Sequence, residues 1–359
     1  MVTAQVIKED GVIKKRIAVA MSGGVDSTVA AVLLKEQGHD VIGVTMRLWD
    51  GGTSGATPND VVAEAAKVAR QLDIPFHSFD MTADFRERVV QPFCGSYLAG
   101  STPNPCIICN RQLKFGRLLE EAERLGADAL ATGHYARVVH VDDMIQVRKG
   151  RDLKKDQSYF LFALTQNQLR RCLFPLGDIS KDEVRAHAAA LQLSVAEKSE
   201  SQDICFIPDG DYVRFLESEC STTALRGELV HVDGQVLGHH SGAYRYTIGQ
   251  RKGLGIGWSE PLYVISIDAA EQRVIVGEKK YLSRTELTVC HTNWSIPEPD
   301  VLEARCRLRY RHKEAPARVE TLPGGRARIV FAEEEQGITP GQAAVFYLDD
   351  RVVGGGWIE

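Results

Sequence analysis

Between residues 16 and 132, short apolar runs alternate with stretches in which apolar positions recur at helical spacing. This is the pattern of a parallel sheet covered by helices on both faces. The runs at 17–21, 41–46, 74–79 and 129–132 read as the strands. Helices are predicted at 28–37, where Gly38 supplies a left-handed cap, and at 61–72, where Asn59 or Asp60 can cap the first turn. A glycine-rich insert at 50–58 follows the second strand, and an irregular stretch at 100–110 precedes a helix beginning near Arg111. Loops at the carboxyl ends of strands are where open α/β sheets bind ligands. After about Asp211 the period changes to short alternating runs broken by turn residues, the signature of small β domains. Runs 262–267 and 273–276, joined through 268–272, predict a hairpin. Those at 304–310, 317–322, 327–331, 343–348 and 351–358 predict a compact barrel or sandwich, and Pro297, Pro299 and the region 285–293 suggest a boundary nearby.

A chain of 359 residues is too long for one small core and suggests two or three domains. With 44% hydrophobic and 25% charged residues it has the balance of a soluble globular protein, which excludes disordered and fibrous classes. No apolar stretch reaches the roughly 18 residues that span a bilayer, and Met1 to Lys15 lack the apolar core of a signal peptide. A cytosolic protein without membrane partners, working as a monomer, is expected. The net charge of -5 means that a polyanion such as RNA must be met by a local basic face. One candidate lies between residues 303 and 328, where eight Lys or Arg (305, 307, 309, 311, 313, 318, 326, 328) face three Glu (303, 314, 320), a local +5. Interleaved Tyr310 and His312 fit contact with RNA backbone and bases, the bland alternative being a solvated strand face.

The sharpest motif is Ser22-Gly23-Gly24-Val25-Asp26-Ser27, directly between the first strand and the first helix. Glycines let backbone N–H groups close around phosphate oxygens, Ser22 and Ser27 add hydroxyl donors, and the helix N-terminus adds partial positive charge. The hexapeptide is neither the dinucleotide fingerprint nor the Walker pattern, since no Gly-Lys-Ser/Thr follows. It matches the loop shared by ATP pyrophosphatases, which break ATP between the α and β phosphates and leave AMP on the substrate.

Eight cysteines are scattered along the chain, and in a reducing compartment they are expected to be buried, catalytic or metal-binding rather than disulfide-bonded. Thr102-Pro103-Asn104-Pro105-Cys106-Ile107-Ile108-Cys109-Asn110 puts two thiols in a proline-stiffened loop that opens a helix, where the thiolate of Cys109 is stabilised. A third, Cys205, lies in Ser199-Glu200-Ser201-Gln202-Asp203-Ile204-Cys205-Phe206. Three readings are open: a redox or persulfide pair, a three-cysteine iron-sulfur site, or inert structural thiols. A structural zinc lacks a fourth ligand at suitable spacing. Cys94, Cys172, Cys220, Cys290 and Cys306 sit in apolar or strand contexts and read as packing residues.

With the loop, the Asn-Pro-x-x-x-Cys-Asn segment and Ser-Gln-Asp-Ile-Cys-Phe together, the sequence resembles the tRNA-specific 2-thiouridylases (MnmA/TrmU family). The similarity runs nearly end to end, through Ala131-Thr132-Gly133-His134-Tyr135, Lys155-Asp156-Gln157-Ser158-Tyr159-Phe160, the segment from Tyr246 to Gly255, and Thr339-Pro340-Gly341-Gln342. The resemblance implies an α/β fold with a Rossmann-like pyrophosphate-loop ATPase domain at 1–210 that carries the catalytic cysteines. A small central β-rich domain at 211–283 and a C-terminal β-barrel at 284–359 would follow. It implies thiolation of the wobble uridine of tRNA, with ATP as cosubstrate and a partner protein as persulfide sulfur donor. Carried over by position, Ala20, Met21, Ser22, Gly23, Gly24, Val25, Asp26, Ser27, Met46 and Gly133 resemble the ATP contacts. Cys109 is similar to the family's nucleophile and Cys205 to its persulfide carrier. Asn104, Pro105, Cys106, His134, Lys155, Asp156, Gln157, Arg309, Tyr310 and Gln342 resemble the tRNA contacts. Where many members have aspartate after Asn-Pro, this chain has Cys106, so a carboxylate facing the base is missing, and Cys106 is a third candidate ligand for an iron-sulfur cluster. The persulfide relay is favoured over the cluster. Mg2+ is expected on the ATP phosphates, with Asp26 as its candidate holder. The alternatives are an amidotransferase-coupled ligase, for which no glutaminase-like segment is found, and an RNA-binding or sulfur-carrier protein without turnover.

Overall fold

The computed structural model describes residues 14–49, 58–191, 193, 204–207, 209–220, 222 and 225–359. The predicted insert at 50–58 apart from Pro58, the N-terminal stretch up to Ile13, and Ser199 to Asp203 lie outside the described residues. The chain divides into two compact units, the first holding residues up to 85, 110–158 and 164–202, the second 86–109, 159–163 and 203–359.

The first unit is built on strands β1 (Arg16–Ala20), β2 (Asp40–Arg47), β3 (Phe76–Asp80) and β4 (Ala129–Ala131), followed by a hairpin of β5 (Ala136–Val141) and β6 (Met144–Lys149) and a short β7 (Cys172–Leu173). The parallel sheet runs β3-β2-β1-β4-β7. Ile17, Val19 and Val41 pack against Val29, Ala30 and Leu34 of helix Val25–Glu36 and against Ala65 and Val68 of helix Pro58–Gln71. Near-continuous apolar runs in β1 and β2 follow from burial on both faces. Strand order reverses between β1 and β4, so the crevice beyond their carboxyl ends is the switch point at which such sheets bind ligands. Gly38 has φ +86°, as its capping role requires. The second helix begins at Pro58, which places Asn59 and Asp60 in its first turn rather than at the cap.

In the second unit, β8 (Gly227–His231), β9 (Val236–His240), β10 (Leu262–Asp268) and β11 (Arg273–Glu278) form a sheet of order β10-β11-β8-β9 over Leu229, Val264, Val274 and Val276. The expected hairpin is β10 and β11. Strands β12 (Ser283–Trp294), β13 (Val301–Arg307), β14 (Ala315–Leu322), β15 (Arg326–Gln336), β16 (Ala343–Leu348) and β17 (Arg351–Ile358) pair antiparallel in the order β12-β15-β14-β13-β16-β17. The pairing of β12 with β17 closes them into a barrel, which leaves no open edge. Residues 285–293 are the body of β12, the longest strand among the described residues.

Two expectations about cysteine are corrected here. Cys94 and Cys220 are not packing residues: they form a disulfide across a sequence separation of 126, joining helix Gln91–Leu98 to the end of helix Tyr212–Glu219. The stretch 105–110 is not irregular either. A helix starts at Pro105, where proline suits the first turn, and widens from Cys109 into π-type turns that run to Leu118.

Candidate functional site

In the first unit, β1 ends at Ala20 and helix Val25–Glu36 begins four residues after Met21. Gly23 takes φ +68°, and a Cβ there would lie 2.8 Å from the Cβ of Glu64, so only glycine fits this turn. Gly24 is the N-cap and has no side chain to cap with, so the first-turn N–H groups are not covered by a capping oxygen. The Ser27 and Thr28 hydroxyls both donate to the Gly24 carbonyl, at 3.2 and 2.8 Å, and the Ser22 N–H donates to Ser27 Oγ at 3.3 Å. The loop is pinned to β2 on its other side, where Met21 N–H donates to Val44 O at 2.8 Å and Thr45 Oγ1 donates to Met21 O at 2.7 Å. Met46 follows two residues later on β2 and is half-buried. Gly133, in the loop after β4, lies against the same helix: a Cβ there would be 2.8 Å from both the carbonyl carbon of Asp26 and the nitrogen of Ser27. The structure therefore gathers the hexapeptide, Met46 and Gly133 at the switch point. Backbone donors and a helix N-terminus there make a cradle for phosphate oxygens.

Asp26 has two partners from distant parts of the chain. Its Oδ1 accepts from Tyr135 Oη at 2.7 Å and from Lys181 Nζ at 2.7 Å. Lys181 is the first residue of helix Lys181–Ala190, whose N-cap Ser180 forms a reciprocal capping box with Glu183, and its side chain is 7% exposed. That oxygen is shared between an ammonium and a phenol. Neither Lys181 nor Tyr135 was singled out as a charge partner from sequence, because nothing local marks a residue whose partner lies 155 positions away.

His134 is buried between Phe115 and Phe174, and its Nδ1 shares a hydrogen bond of 2.7 Å with Thr132 Oγ1. Burial, with Lys114 adding to it, holds its pKa well below the usual imidazole value, so the ring is neutral and built into the core of this unit. Asp156 is buried too. Its carboxylate accepts from the N–H groups of Gly150 and Ser158 and from Ser158 Oγ. Gln157 is half-buried and bonds the backbone of Tyr135 in both directions, at 3.0 and 2.9 Å. Of this triplet, Asp156 and Gln157 shape the loop, while Lys155 is half-exposed.

In the second unit, Cys106 and Cys205 are exposed and Cys109 is buried. Among the described residues no group of three His, Cys, Asp or Glu side chains is arranged to hold a metal ion. Asn104 is the N-cap of the helix that carries Cys106, and Pro105 is its buried first residue. Gln342 Nε2 donates to the carbonyls of Thr102 and Pro103, at 2.9 and 3.3 Å, and Thr102 N–H donates to Pro340 O at 2.8 Å. Gln342 thus fixes the approach to Asn104. Tyr310 lies against Phe160 with ring centroids 4.6 Å apart, and Arg309 is exposed. The basic stretch is less positive than its sequence. Arg305 and Arg307 pair with Glu314, Arg318 with Glu320, Arg328 with Glu286 and Arg326 with Glu359. Two of these acids, Glu286 and Glu359, lie outside the stretch, and counting them lowers its formal excess from five positive charges to three. Replacing Arg309 with alanine is expected to flatten the log–log salt dependence of tRNA binding by about one unit. An unchanged slope in filter binding across a salt series would take Arg309 off the RNA face.

Residues 15–209 match the tRNA methyl transferase HUP domain, 214–278 the tRNA methyl transferase PRC-barrel domain and 284–358 the aminomethyltransferase beta-barrel domain. The chain is 58% identical over 346 residues to the tRNA-specific 2-thiouridylase MnmA of Syntrophotalea carbinolica, covering 96% of this chain and 98% of that one. It is 52% identical over 347 residues to the protein of the same name from Trichlorobacter lovleyi, covering 96% and 97%. The protein of that name from Geotalea uraniireducens is 51% identical over 357 residues, covering 96% and 95%.

Proposed function

This chain belongs to the tRNA-specific 2-thiouridylase family, and from that premise we propose that it is a tRNA-uridine 2-sulfurtransferase that activates a uridine carbonyl with ATP and replaces its oxygen with sulfur. The observation that carries the nucleotide half is the cradle at 22–27, closed on one side by Gly133. A carbonyl oxygen is a poor leaving group. Attack by O2 of the wobble uridine on the α-phosphorus forms a P–O bond, breaks the bond to the bridging oxygen and expels pyrophosphate with its electron pair, while the base gives up its N3 proton. The oxygen then leaves as AMP. Cradle donors aimed at phosphate oxygens stabilise charge as it builds on the departing pyrophosphate.

The sulfur half is assigned to Cys205 and Cys109. A partner protein loads Cys205 as a persulfide, and the exposure of this thiol suits that exchange. The terminal sulfur attacks the activated carbon and AMP leaves. The Cys109 thiolate then attacks the Cys205 sulfur, which frees the thiolated base and leaves a Cys109–Cys205 disulfide for an external dithiol to reduce. Purified protein given MgATP, a persulfide donor and unmodified tRNA is expected to form 2-thiouridine with one AMP and one pyrophosphate per base. ADP and phosphate as the stoichiometric products would overturn the proposal.

A further inference from the structure

A Walker loop brings its own lysine within the motif, but Ser22 to Ser27 contain no cation. The fold delivers one from elsewhere. Lys181 reaches Asp26, in the first turn of the cradle helix, from 155 residues along the chain, with its ammonium 2.7 Å from the carboxylate. The position is an expensive one for a lysine of purely structural value. Its side chain is 7% exposed, and it opens a helix whose N-terminal dipole disfavours a cation. A buried ion pair of this kind is seldom better for stability than apolar residues of the same volume. Asp26 has a second partner on the same oxygen, the Tyr135 hydroxyl at 2.7 Å, so the carboxylate keeps a hydrogen bond when the ammonium moves. A lysine has the flexible stem and three rotatable donors for such sharing.

We propose that Lys181 is a phosphate-binding residue of the adenylation step, held by Asp26 in the free protein and passing its ammonium to the β and γ phosphates of ATP as pyrophosphate departs. The inference rests on the adenylation reading above but goes beyond it, since it names the residue that supplies positive charge to a neutral cradle. The test uses the full-length protein and three variants: Lys181→Met, Lys181→Arg, and Lys181→Met combined with Asp26→Asn. Single-turnover pyrophosphate release should fall about 100-fold or more in Lys181→Met, the scale for losing one preorganised donor. Lys181→Arg should retain more of the rate. The non-hydrolysable ATP analogue AMP-PNP should bind more weakly to Lys181→Met, whereas AMP, which lacks the β and γ phosphates, should bind as in the wild type. The double variant removes both charges and should recover the wild-type melting temperature without recovering pyrophosphate release. Recovery of the rate in the double variant would overturn the proposal, because Lys181 would then serve only to neutralise Asp26. Equal weakening of AMP and AMP-PNP would overturn it as well. The AMP against AMP-PNP comparison needs no turnover, so it stands apart from the adenylation reading, which fails instead if the wild type releases no pyrophosphate with tRNA present.

Discussion

Cys109→Ser and Cys205→Ser should each abolish thiolation, while Cys106→Ser retains a substantial share of it. The proposed relay needs two sulfurs, one to carry and one to release, and the exposure of the two thiols suits those tasks. Cys205 is exposed, as a thiol loaded by another protein has to be. Cys109 is 8% exposed and lies where the helix from Pro105 changes to wider turns, so its sulfur is held by a rigid element. Serine at either position keeps the volume and loses the nucleophile. Cys106 is exposed and has no step to perform in this scheme. A cluster held by all three thiols gives the opposite result: each substitution would remove iron and activity together, and the anaerobically purified protein would be brown and oxygen-sensitive. Thiouridine analysis of digested tRNA, beside iron and sulfide determination on the same preparations, decides between them. Loss in Cys106→Ser equal to that in Cys109→Ser, with stoichiometric iron in the wild type, would end the two-sulfur scheme.

Gly133→Ala is expected to destroy ATP binding although it adds one methyl group outside the hexapeptide. That methyl would stand 2.8 Å from the carbonyl carbon of Asp26, 2.8 Å from the nitrogen of Ser27 and 2.9 Å from the Asp26 Cβ. Two of these atoms are backbone, and they belong to the first turn of the cradle helix. Overpacking of this kind costs about 1–3 kcal/mol, and relief requires the first turn of the helix to move away from the loop after β4. Gly95→Ala is the matched control, since nothing lies within 4 Å of the added carbon and the helix gains propensity. Calorimetric titration with ATP and thermal unfolding of both variants check this. Wild-type affinity in Gly133→Ala would show that the contact relaxes without disturbing the cradle.

What was legible in the sequence is what is local in the sequence. The cradle is one contiguous hexapeptide between an apolar run and a helix, so both its place and its chemistry could be read directly. Strands β1 and β2 were equally plain, because burial on both faces makes each a near-continuous apolar run. Three kinds of feature escaped. Pro103 and Pro105 read as loop-formers, yet proline is also at home in a helical first turn, and only the backbone shows which role it has. Strands β8, β9 and β12 carry many polar residues, β9 and β12 with exposed positions, and their alternation is weak over lengths of five to twelve residues. The long-range pairs left no mark at all: Lys181 with Asp26, and Cys94 with Cys220, are juxtapositions made by topology. The burial of His134 beside Phe115 and Phe174, and of Asp156 in its turn, left no mark in the sequence either.

If the barrel meets tRNA as proposed, its ion pairs bear on how substrate is told from the bulk of cellular RNA. A face carrying eight uncompensated cations would bind any polyanion, and each phosphate neutralised would add nearly a full unit to the salt exponent. Acids paired with these arginines instead lower the formal excess to three, so on the proposed reading ionic adhesion to tRNA would be correspondingly weaker. Discrimination would then rest more on shape and on stacking, for which the Phe160–Tyr310 pair is the proposed element, and weaker ionic adhesion would favour release of the modified tRNA. An enzyme that must visit each substrate molecule once gains more from fast release than from tight capture.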